Sequence, residues 1–246
     1  MRAVENSPER VAALNRDFQN KTPTELLAWA VEEFKDRIAL CSAFGPESIV
    51  ILHMLIELGV AVRVFTIDTG RLPSETHSLI QRCQDRFKMP IDVYGPDPEE
   101  VQQMVRKHGI NLFYNSVELR ELCCKVRKVH PMTRALESLD AWISGLRRDQ
   151  GDERKTIQKL EFDSVHQGRL KLNLLANWSE AQVWNYISCV NLPYNPLHNR
   201  GYRSVGCAPC SRATNPGEDA RAGRWWWERS SNKECGIHTV SEPDDL

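Results

Sequence analysis

Two pairs of cysteines are the residues of this 246-residue chain whose types and spacing first suggest chemistry. Cys123 and Cys124 are adjacent in ELCCKVRKVHP, and Cys207 and Cys210 form the CxxC pair of CAPC. A CxxC pair alone is typical of half a zinc site or of a redox-active dithiol, and a disulfide between adjacent cysteines would be strained. Four thiolates together can hold zinc or an iron–sulfur cluster, and the spacing does not choose between them.

A further cysteine, Cys235, lies in KECGIH near the C-terminus, beside Lys233 and His238. Cationic neighbours favour the thiolate, which is the nucleophilic form of cysteine. We interpret Cys235 as a catalytic nucleophile, with His238 assisting it or binding an anion. The alternative is an incidental surface thiol beside a surface histidine.

The composition is that of an ordinary globular protein, with 41% hydrophobic and 26% charged residues. The formal net charge is −1, so no overall field attracts the chain to nucleic acid or to a membrane. The first residues lack the apolar core of a secretory signal, and no apolar run reaches membrane-spanning length. We therefore expect a cytoplasmic protein without nucleic-acid or membrane partners, whose eight cysteines serve metal binding or catalysis.

Strands and helices alternate along most of the chain. Strands are predicted at 38–42, 61–68, 91–96, 141–145 and 169–175, and helices at 22–34, 48–58, 73–87, 98–109, 117–138 and 178–188. Thr22, Pro23 and Glu25 supply the N-cap, N1 and N3 signals of the first helix, and Pro131 is expected to kink or break the helix over 117–138. This alternation predicts an α/β protein whose parallel sheet is covered by helices on both faces.

Two stretches are predicted to lack regular structure. Residues 146–158 are polar and are expected to form a mobile loop, whereas the region after Asn191 is rich in Pro, Gly, Arg and Trp. We expect that C-terminal region to lie irregularly over the functional edge of the sheet. Of the remaining cysteines, Cys41 and Cys189 are predicted core residues and Cys83 is predicted to be structural on a helix.

Several segments, in this order along the chain, resemble the assimilatory adenylylsulfate (APS) reductases, the iron–sulfur type within the PAPS/APS reductase family. The segments are IDTGRLPSET (67–76), CC followed by RK (123–128), ISGLRRDQ (143–150), CAPC (207–210), DARAGRWWWE (219–228) and KECGIH (233–238). Their shared order makes the resemblance specific. It implies an adenine-nucleotide α-hydrolase (PP-loop) fold. It also implies an N-terminal helical extension (1–21), a reductase domain (22–228) and a flexible tail (229–246) that carries the nucleophile.

The resemblance implies a thioredoxin-dependent reduction of adenylylsulfate to sulfite and AMP, a step of sulfate assimilation toward cysteine. The Cys235 thiolate would attack the sulfate sulfur, AMP would leave, and reduced thioredoxin would release sulfite from the resulting S-sulfocysteine. Lys128 would couple the charge of a [4Fe–4S] cluster to the sulfate end of the site. The cluster, which in the family is not thought to pass electrons to substrate, would be held by Cys123, Cys124, Cys207 and Cys210.

The substrate carries a sulfate and a phosphate, so its site requires several fixed cations. By resemblance, Arg154, Arg221 and Arg224 bind these groups, and Arg147 and Arg148 are weaker candidates; a solvated surface position is the alternative for each. The loop after the first strand is expected to present backbone N–H groups and a helix N-terminus to the nucleotide. The residues that would line the nucleotide pocket are Ser42, Ala43, Phe44, Gly45, Ile67, Asp68, Thr69, Gly70 and Gly145.

Three alternatives remain open at this point. The loop SAFGPES does not exclude the 3′-phosphorylated substrate, so a cluster-containing phosphoadenylylsulfate (PAPS) reductase is the nearest. An ATP-dependent PP-loop sulfur-insertion enzyme would carry an SGGxDS-type loop, and the single glycine and Pro46 of SAFGPES argue against it. A zinc-binding module would leave Cys235 and the arginine-rich C-terminal region unexplained. The sequence does not fix the electron donor or the oligomeric state, and a homo-oligomer is compatible with it.

Overall fold

The computed structural model describes residues 6–228 and 236–237. The strands are β1 (Ile38–Cys41), β2 (Arg63–Ile67), β3 (Asp92–Tyr94), β4 (Ala141–Ser144), β5 (Leu160–Asp163) and β6 (Arg169–Asn173). They form one six-stranded sheet in the order β3-β2-β1-β4-β6-β5. Five strands run parallel, and β5 pairs antiparallel with β6 at the edge. The predicted parallel α/β architecture is confirmed, and β5 is an addition to it.

The helices follow the predicted positions closely. They are α1 (Pro8–Asp17), α2 (Pro23–Phe34), α3 (Pro46–Glu57), α4 (Ser74–Phe87), α5 (Pro98–His108), α6 (Val117–Cys124), α7 (His130–Leu136) and α8 (Glu180–Cys189). The predicted start of α2 is a complete capping box, in which the Glu25 backbone N–H donates to Thr22 Oγ1 and the Thr22 N–H donates to Glu25 Oε2. Within the described ranges, no helix combines the length and apolar character needed to cross a membrane.

The segment over 117–138 is interrupted as expected, and its interruption shapes the site. A π-helical turn, Lys125–Val129, separates α6 from α7, and Pro131 lies in the first turn of α7. Proline has no N–H to donate to a carbonyl one turn back, so the wider turn accommodates it without a broken hydrogen bond. The turn follows directly after Cys123 and Cys124 and contains Lys128.

Apolar side chains of the strands alternate between the two faces of the sheet. One face packs against α2, α3, α4 and α8 in the largest apolar cluster, which includes Leu40, Val64 and Ile143. The other face packs against α7, and this second cluster consists of Ala39, Phe65, Met132, Ala135, Leu136, Leu139 and Trp142. Helices therefore cover both faces, and the carboxyl ends of the strands are left for a site.

Two sequence expectations need correction and one is refined. Cys189 is exposed at the end of α8 and does not belong to the core. Cys41 is only half-buried, because it is the last residue of β1 and lies at the carboxyl edge of the sheet. Cys83 is buried as predicted, and burial raises its pKa to about 12. The polar segment 146–158 contains two 3₁₀ turns and turns Arg154 inward, so it is not a purely solvated loop.

The described C-terminal region is irregular, as predicted. Beyond Cys189, the described residues form two 3₁₀ turns, Pro196–Arg200 and Ala208–Cys210, and one isolated bridge between Ser211 and Arg224. This region crosses the carboxyl edge of the sheet, since the Ala208 backbone N–H donates to the carbonyl of Arg71 just after β2.

A buried ion pair ties this region back to α6. Arg120 Nε lies 3.0 Å from Glu228 Oε1, and both side chains are 3% exposed. We expect Glu228→Ala to lower the free energy of unfolding by about 3–5 kcal/mol, because it removes the carboxylate opposite a buried guanidinium. Urea unfolding would measure this. Glu121 also approaches Arg120, at 3.6 Å, but is 62% exposed, so Glu121→Ala should cost less than about 1 kcal/mol. Equal losses for the two variants would contradict the prediction.

Candidate active site

A cavity of about 240 Å³ opens at the carboxyl ends of β1, β2 and β4. Open α/β sheets bind ligands at this edge, where the connecting loops diverge. Most of the residues predicted from the sequence meet here. Those that line the cavity are Ser42, Ala43, Phe44, Gly45, Ile67, Thr69, Lys128, Gly145, Arg147, Arg154, Arg221 and Arg224.

The loop after β1 is built to present backbone groups to this cavity. Phe44 has φ 54°, and its N–H donates to Ser42 Oγ over 3.2 Å, which closes a tight turn. Gly45 is the N-cap of α3 and supplies no side-chain acceptor for the first N–H groups of that helix. Gly145 approaches closely, because a Cβ there would lie 3.0 Å from Glu47 Cβ. The N-terminus of α3 therefore faces the cavity as a site suited to an anion.

The predicted nucleotide residues after β2 divide into two groups. Thr69 lines the cavity, and its hydroxyl lies 3.2 Å from Cys207 Sγ. Asp68 and Gly70 are not among the described residues that line it. Asp68 Oδ1 accepts the Gly70 N–H over 2.8 Å, and Gly70 has φ 68°. These two residues form a tight turn, and their role in binding substrate stays a prediction.

Several cations line the cavity, together with the carboxylates of Glu47, Asp149 and Glu180. The guanidinium groups of Arg154, Arg221 and Arg224 belong to residues that are 7%, 9% and 6% exposed. Arg224 lies over the ring of Trp225, 4.6 Å from its centroid, and its Nε donates to the carbonyl of Cys210. Lys128 lines the same cavity. Guanidinium and ammonium groups form strong, charge-assisted hydrogen bonds with sulfate and phosphate oxygens, so a cavity lined by these groups is suited to an anionic ligand.

The two weaker arginine candidates make protein contacts. Arg147 Nε donates to Glu47 Oε1 over 2.8 Å, and its terminal nitrogen donates to Asp149 and to the carbonyl of Trp178. Arg148 Nε donates to the carbonyl of Ile157, and Arg148 is not among the described residues lining the cavity. These contacts hold the loop after β4 against α3.

The four paired cysteines converge in a second, smaller cavity. All four are buried within one apolar cluster that also contains Phe113 and Trp225. They line the small cavity together with four cations, and the full lining set is Arg71, Phe113, Arg120, Cys123, Cys124, Arg127, Lys128, Cys207, Pro209 and Cys210. Within the described part of the chain, no three His, Cys, Asp or Glu side chains are grouped to hold a single metal ion. A small cavity lined by four thiols and four cations fits a bound group that carries negative charge through thiolate ligands.

The pKa values of these thiols depend on burial and on neighbouring charge. Burial raises the pKa of Cys123, and it raises that of Cys210 to about 12. Burial also opposes ionisation of Cys207. There, however, the Lys128 ammonium, the Thr69 hydroxyl and the Arg224 guanidinium together outweigh it and lower the pKa.

The two cavities share part of their walls. Lys128 and Cys207 line both. Lys128 lies in the π-helical turn, four residues after Cys124, so one ammonium faces the cysteines and the larger cavity at once. The ammonium of Lys128 can therefore interact electrostatically both with a charge at the cysteines and with an anion in the larger cavity.

Comparison with known proteins places this architecture in a family. A family model described as the phosphoadenosine phosphosulfate reductase domain matches residues 37–213. The chain belongs to this reductase family. Its membership confirms the resemblance seen in the sequence segments.

Curated relatives cover most of the chain. It is 42% identical over 235 residues to an adenosine 5′-phosphosulfate reductase of Burkholderia cepacia, covering 96% of this chain and 91% of that protein. It is 44% identical over 214 residues to the enzyme of the same name from Allochromatium vinosum, covering 87% and 83%.

Solved structures show the same fold. A PAPS reductase from Candida auris, in complex with phosphate, superposes with a TM-score of 0.73 at 28% identity, covering 85% of this chain and 98% of that one. An FMN adenylyltransferase from Candida glabrata, at 14% identity and a TM-score of 0.56 over 85% of this chain and 68% of that one, shares the fold alone.

The predicted nucleophile Cys235 and its neighbour His238 lie outside the described residues. The two residues between them, Gly236 and Ile237, are described, and Ile237 lines the larger cavity.

Of the tryptophan run, Trp225 is buried and lines the cavity, whereas Trp226 is 50% exposed and Trp227 packs on Tyr114. Trp225 is therefore the ring of this run that contributes to the cavity wall.

Sequence reasoning missed several residues of the cavity wall. Glu47, Glu180, Trp184, His198 and Arg203 all line it. Glu47 follows Pro46 in the first turn of α3, which is a usual place for a carboxylate in any helix and so carried no functional signal. The other four come together only because α8 and the chain after it fold back over the same edge.

His198 gives the cavity wall a pH-dependent stability. Burial lowers its pKa, opposed by a hydrogen bond to the Tyr202 backbone and by Glu47 and Glu180. The unfolded chain would bind a proton below about pH 6.5 while the folded His198 stays neutral, so folding stability falls as the pH decreases from there. We expect the melting temperature of the wild type to fall more steeply between pH 7.5 and 5.5 than that of His198→Gln, measured by circular dichroism. Parallel curves for the two proteins would contradict this.

Proposed function

We propose that the protein reduces adenylylsulfate to sulfite and AMP, using electrons from thioredoxin or a similar dithiol protein. The curated relatives support the substrate, because those at 38–44% identity over most of the chain are named adenosine 5′-phosphosulfate reductases. The observation that carries the proposal is the cavity at the carboxyl ends of the strands, which Lys128, Arg154, Arg221 and Arg224 line together with the N-terminus of α3. An adenine nucleotide with two adjacent anionic groups matches this combination.

The proposed chemistry takes place in two steps. The Cys235 thiolate attacks the sulfate sulfur, the bond between that sulfur and the bridging oxygen breaks, and AMP leaves with the electron pair. A thiolate of the donor protein then attacks Cys235 Sγ, and sulfite leaves. The second donor thiol closes a disulfide on the donor and returns Cys235 as a thiolate, so two electrons are delivered for each sulfite.

The cations that line the cavity contribute electrostatically to the first step. Negative charge grows on the bridging oxygen as AMP leaves, and fixed guanidinium groups in a buried wall stabilise that charge without reorganising. The reduced thiols that the chemistry requires are compatible with a cytoplasmic location, which is part of the proposal. The proposal also includes the domain boundaries expected from the sequence. These are an N-terminal extension at 1–21, the reductase domain at 22–228 and a tail at 229–246.

We further propose that Cys123, Cys124, Cys207 and Cys210 hold a [4Fe–4S] cluster. Their shared burial and the surrounding cations fit a cluster with four thiolate ligands, whose net charge is negative. When bound, this group supplies a compact centre of negative charge next to Lys128. Protein purified without oxygen should contain iron and acid-labile sulfide at four of each per chain. Stoichiometric zinc without sulfide would instead support the zinc site that the cysteine spacing also allows.

The substrate is tested by measuring sulfite release from adenylylsulfate and from its 3′-phosphorylated form in parallel, with reduced thioredoxin. Preference for adenylylsulfate supports the proposal. Preference for the phosphorylated form would keep the chemistry and change the substrate to PAPS, which the structural likeness to the Candida auris enzyme keeps as the second candidate. Absence of sulfite from both, with the metal in place, would remove the reductase function.

A further inference from the structure

Gln150 lies between a carboxylate and an arginine of the larger cavity. It ends the 3₁₀ turn Arg148–Gln150, in the loop that follows β4, and it lines the cavity together with Glu47 and Arg154. Its amide nitrogen donates to Glu47 Oε1 over 3.0 Å. Its amide oxygen accepts from the backbone N–H of Arg147 over 3.0 Å and from a terminal nitrogen of the Arg154 guanidinium. One side chain therefore connects the first turn of α3 with a guanidinium that is predicted to bind substrate.

The partners of the Gln150 amide set its direction. The Glu47 carboxylate accepts hydrogen bonds, so the NH₂ group faces it. A backbone N–H and a guanidinium can only donate, so the amide oxygen faces Arg147 and Arg154. Glu47 Oε1 is itself held, because it also accepts from Arg147 Nε over 2.8 Å. The Gln150 side chain thus has one favoured orientation at the cavity.

The backbone after Gln150 brings Arg154 back toward it. Gly151 has φ 150° and ψ 170°, a conformation that is essentially restricted to glycine. Its carbonyl accepts the backbone N–H of Arg154 over 3.1 Å, and a Cβ at Gly151 would lie 3.6 Å from Arg221 Cδ. The turn therefore packs beside a second arginine of the cavity. A long arginine side chain has many rotamers, and a fixed acceptor at its guanidinium favours one of them.

We infer that Gln150 is a positioning residue, which orients the Arg154 guanidinium for an anionic group of the substrate. The inference rests on the proposed function, in which Arg154 binds such a group. The amide oxygen is an uncharged acceptor, so this contact orients the cation without neutralising it. A glutamate at position 150 would instead pair with Arg154 as an anion and would face the like charge of Glu47. Alanine would remove the acceptor altogether.

The first test is a double-mutant cycle on kcat/KM for adenylylsulfate, measured as sulfite release by full-length protein purified without oxygen. We expect Gln150→Ala to lower kcat/KM about tenfold and Arg154→Ala to lower it roughly 10²-fold. The double variant should stay within about twofold of Arg154→Ala, because a residue that acts through Arg154 then has nothing left to position. Independent contributions would multiply to a loss of roughly 10³-fold and would overturn the inference. Gln103→Ala, at an exposed position of α5, serves as the control and should leave kcat/KM unchanged.

Gln150→Glu separates positioning of a charge from packing. Glutamate has nearly the same size as glutamine, so a role in packing alone predicts that it preserves kcat/KM better than Gln150→Ala does. The inference predicts the reverse order, because the new carboxylate neutralises the cation that it contacts. Melting temperatures measured by circular dichroism would show that both variants are folded.

A folded Gln150→Glu protein with higher kcat/KM than Gln150→Ala would count against the inference. Absence of sulfite from the wild-type protein with either substrate would instead remove the proposed function. The two failures are therefore distinguishable.

Discussion

Cys235→Ser is expected to abolish sulfite release from adenylylsulfate, with a loss of roughly 10³-fold or more. A serine hydroxyl is not ionised near neutral pH and attacks poorly without an adjacent general base, whereas a thiolate is both available and strongly nucleophilic. The measurement is steady-state sulfite release with reduced thioredoxin. In a parallel incubation without donor, the wild-type peptide containing Cys235 should gain the mass of one SO₃ group and the serine variant should not.

The matched control for this substitution is Cys189→Ser. Cys189 is exposed at the end of α8, apart from both cavities, so replacing it should leave sulfite release unchanged. A Cys235→Ser protein that still turns over at the wild-type rate would mean that another group attacks the sulfur. Cys41, a half-buried thiol that lines the larger cavity, would then be the next candidate for the attacking group.

The parts of the fold that the sequence predicts well are those with strong local patterns. Central strands such as β1 and β4 are buried and read as short apolar runs, and α2 carries a complete capping signal. The strand β5 was missed because it lies at the edge of the sheet, where Leu160 is its one fully buried residue and no alternation appears. Cys189 was placed wrongly because a cysteine in an amphipathic helix gives little indication of which face it occupies.

The site shows the same division between local and long-range information. The loop 42–45 and the turn at Thr69 follow directly from strands, so a sequence pattern locates them at the carboxyl edge. The pair formed by Glu47 and Arg147 joins residues 100 positions apart, and only the folded chain shows that Arg147 is held by protein contacts. His198 likewise reaches the cavity through the region that follows α8, where no periodic pattern predicts its position.

Lys128→Met is expected to lower kcat/KM for adenylylsulfate by roughly 10²- to 10³-fold while the iron and sulfide content stays at the wild-type level. The ammonium lines both cavities, and it is the charge that contributes most to lowering the Cys207 pKa. Removing a single fixed charge aimed at a developing anion in a buried site typically has an effect of this size. Methionine keeps the length of the side chain, so the packing of the π-helical turn is largely preserved.

Two further variants separate the charge from its position. Lys125→Met makes the same substitution three residues earlier in the same turn, at an exposed side chain, and should leave kcat/KM and metal content unchanged. Lys128→Arg keeps the positive charge on a different geometry and should recover part of the lost rate. If Lys128→Met instead loses its iron together with its activity, the ammonium acts mainly by stabilising the bound cluster. Unchanged turnover in a metal-containing Lys128→Met protein would show that the link between the two cavities has no part in the reaction.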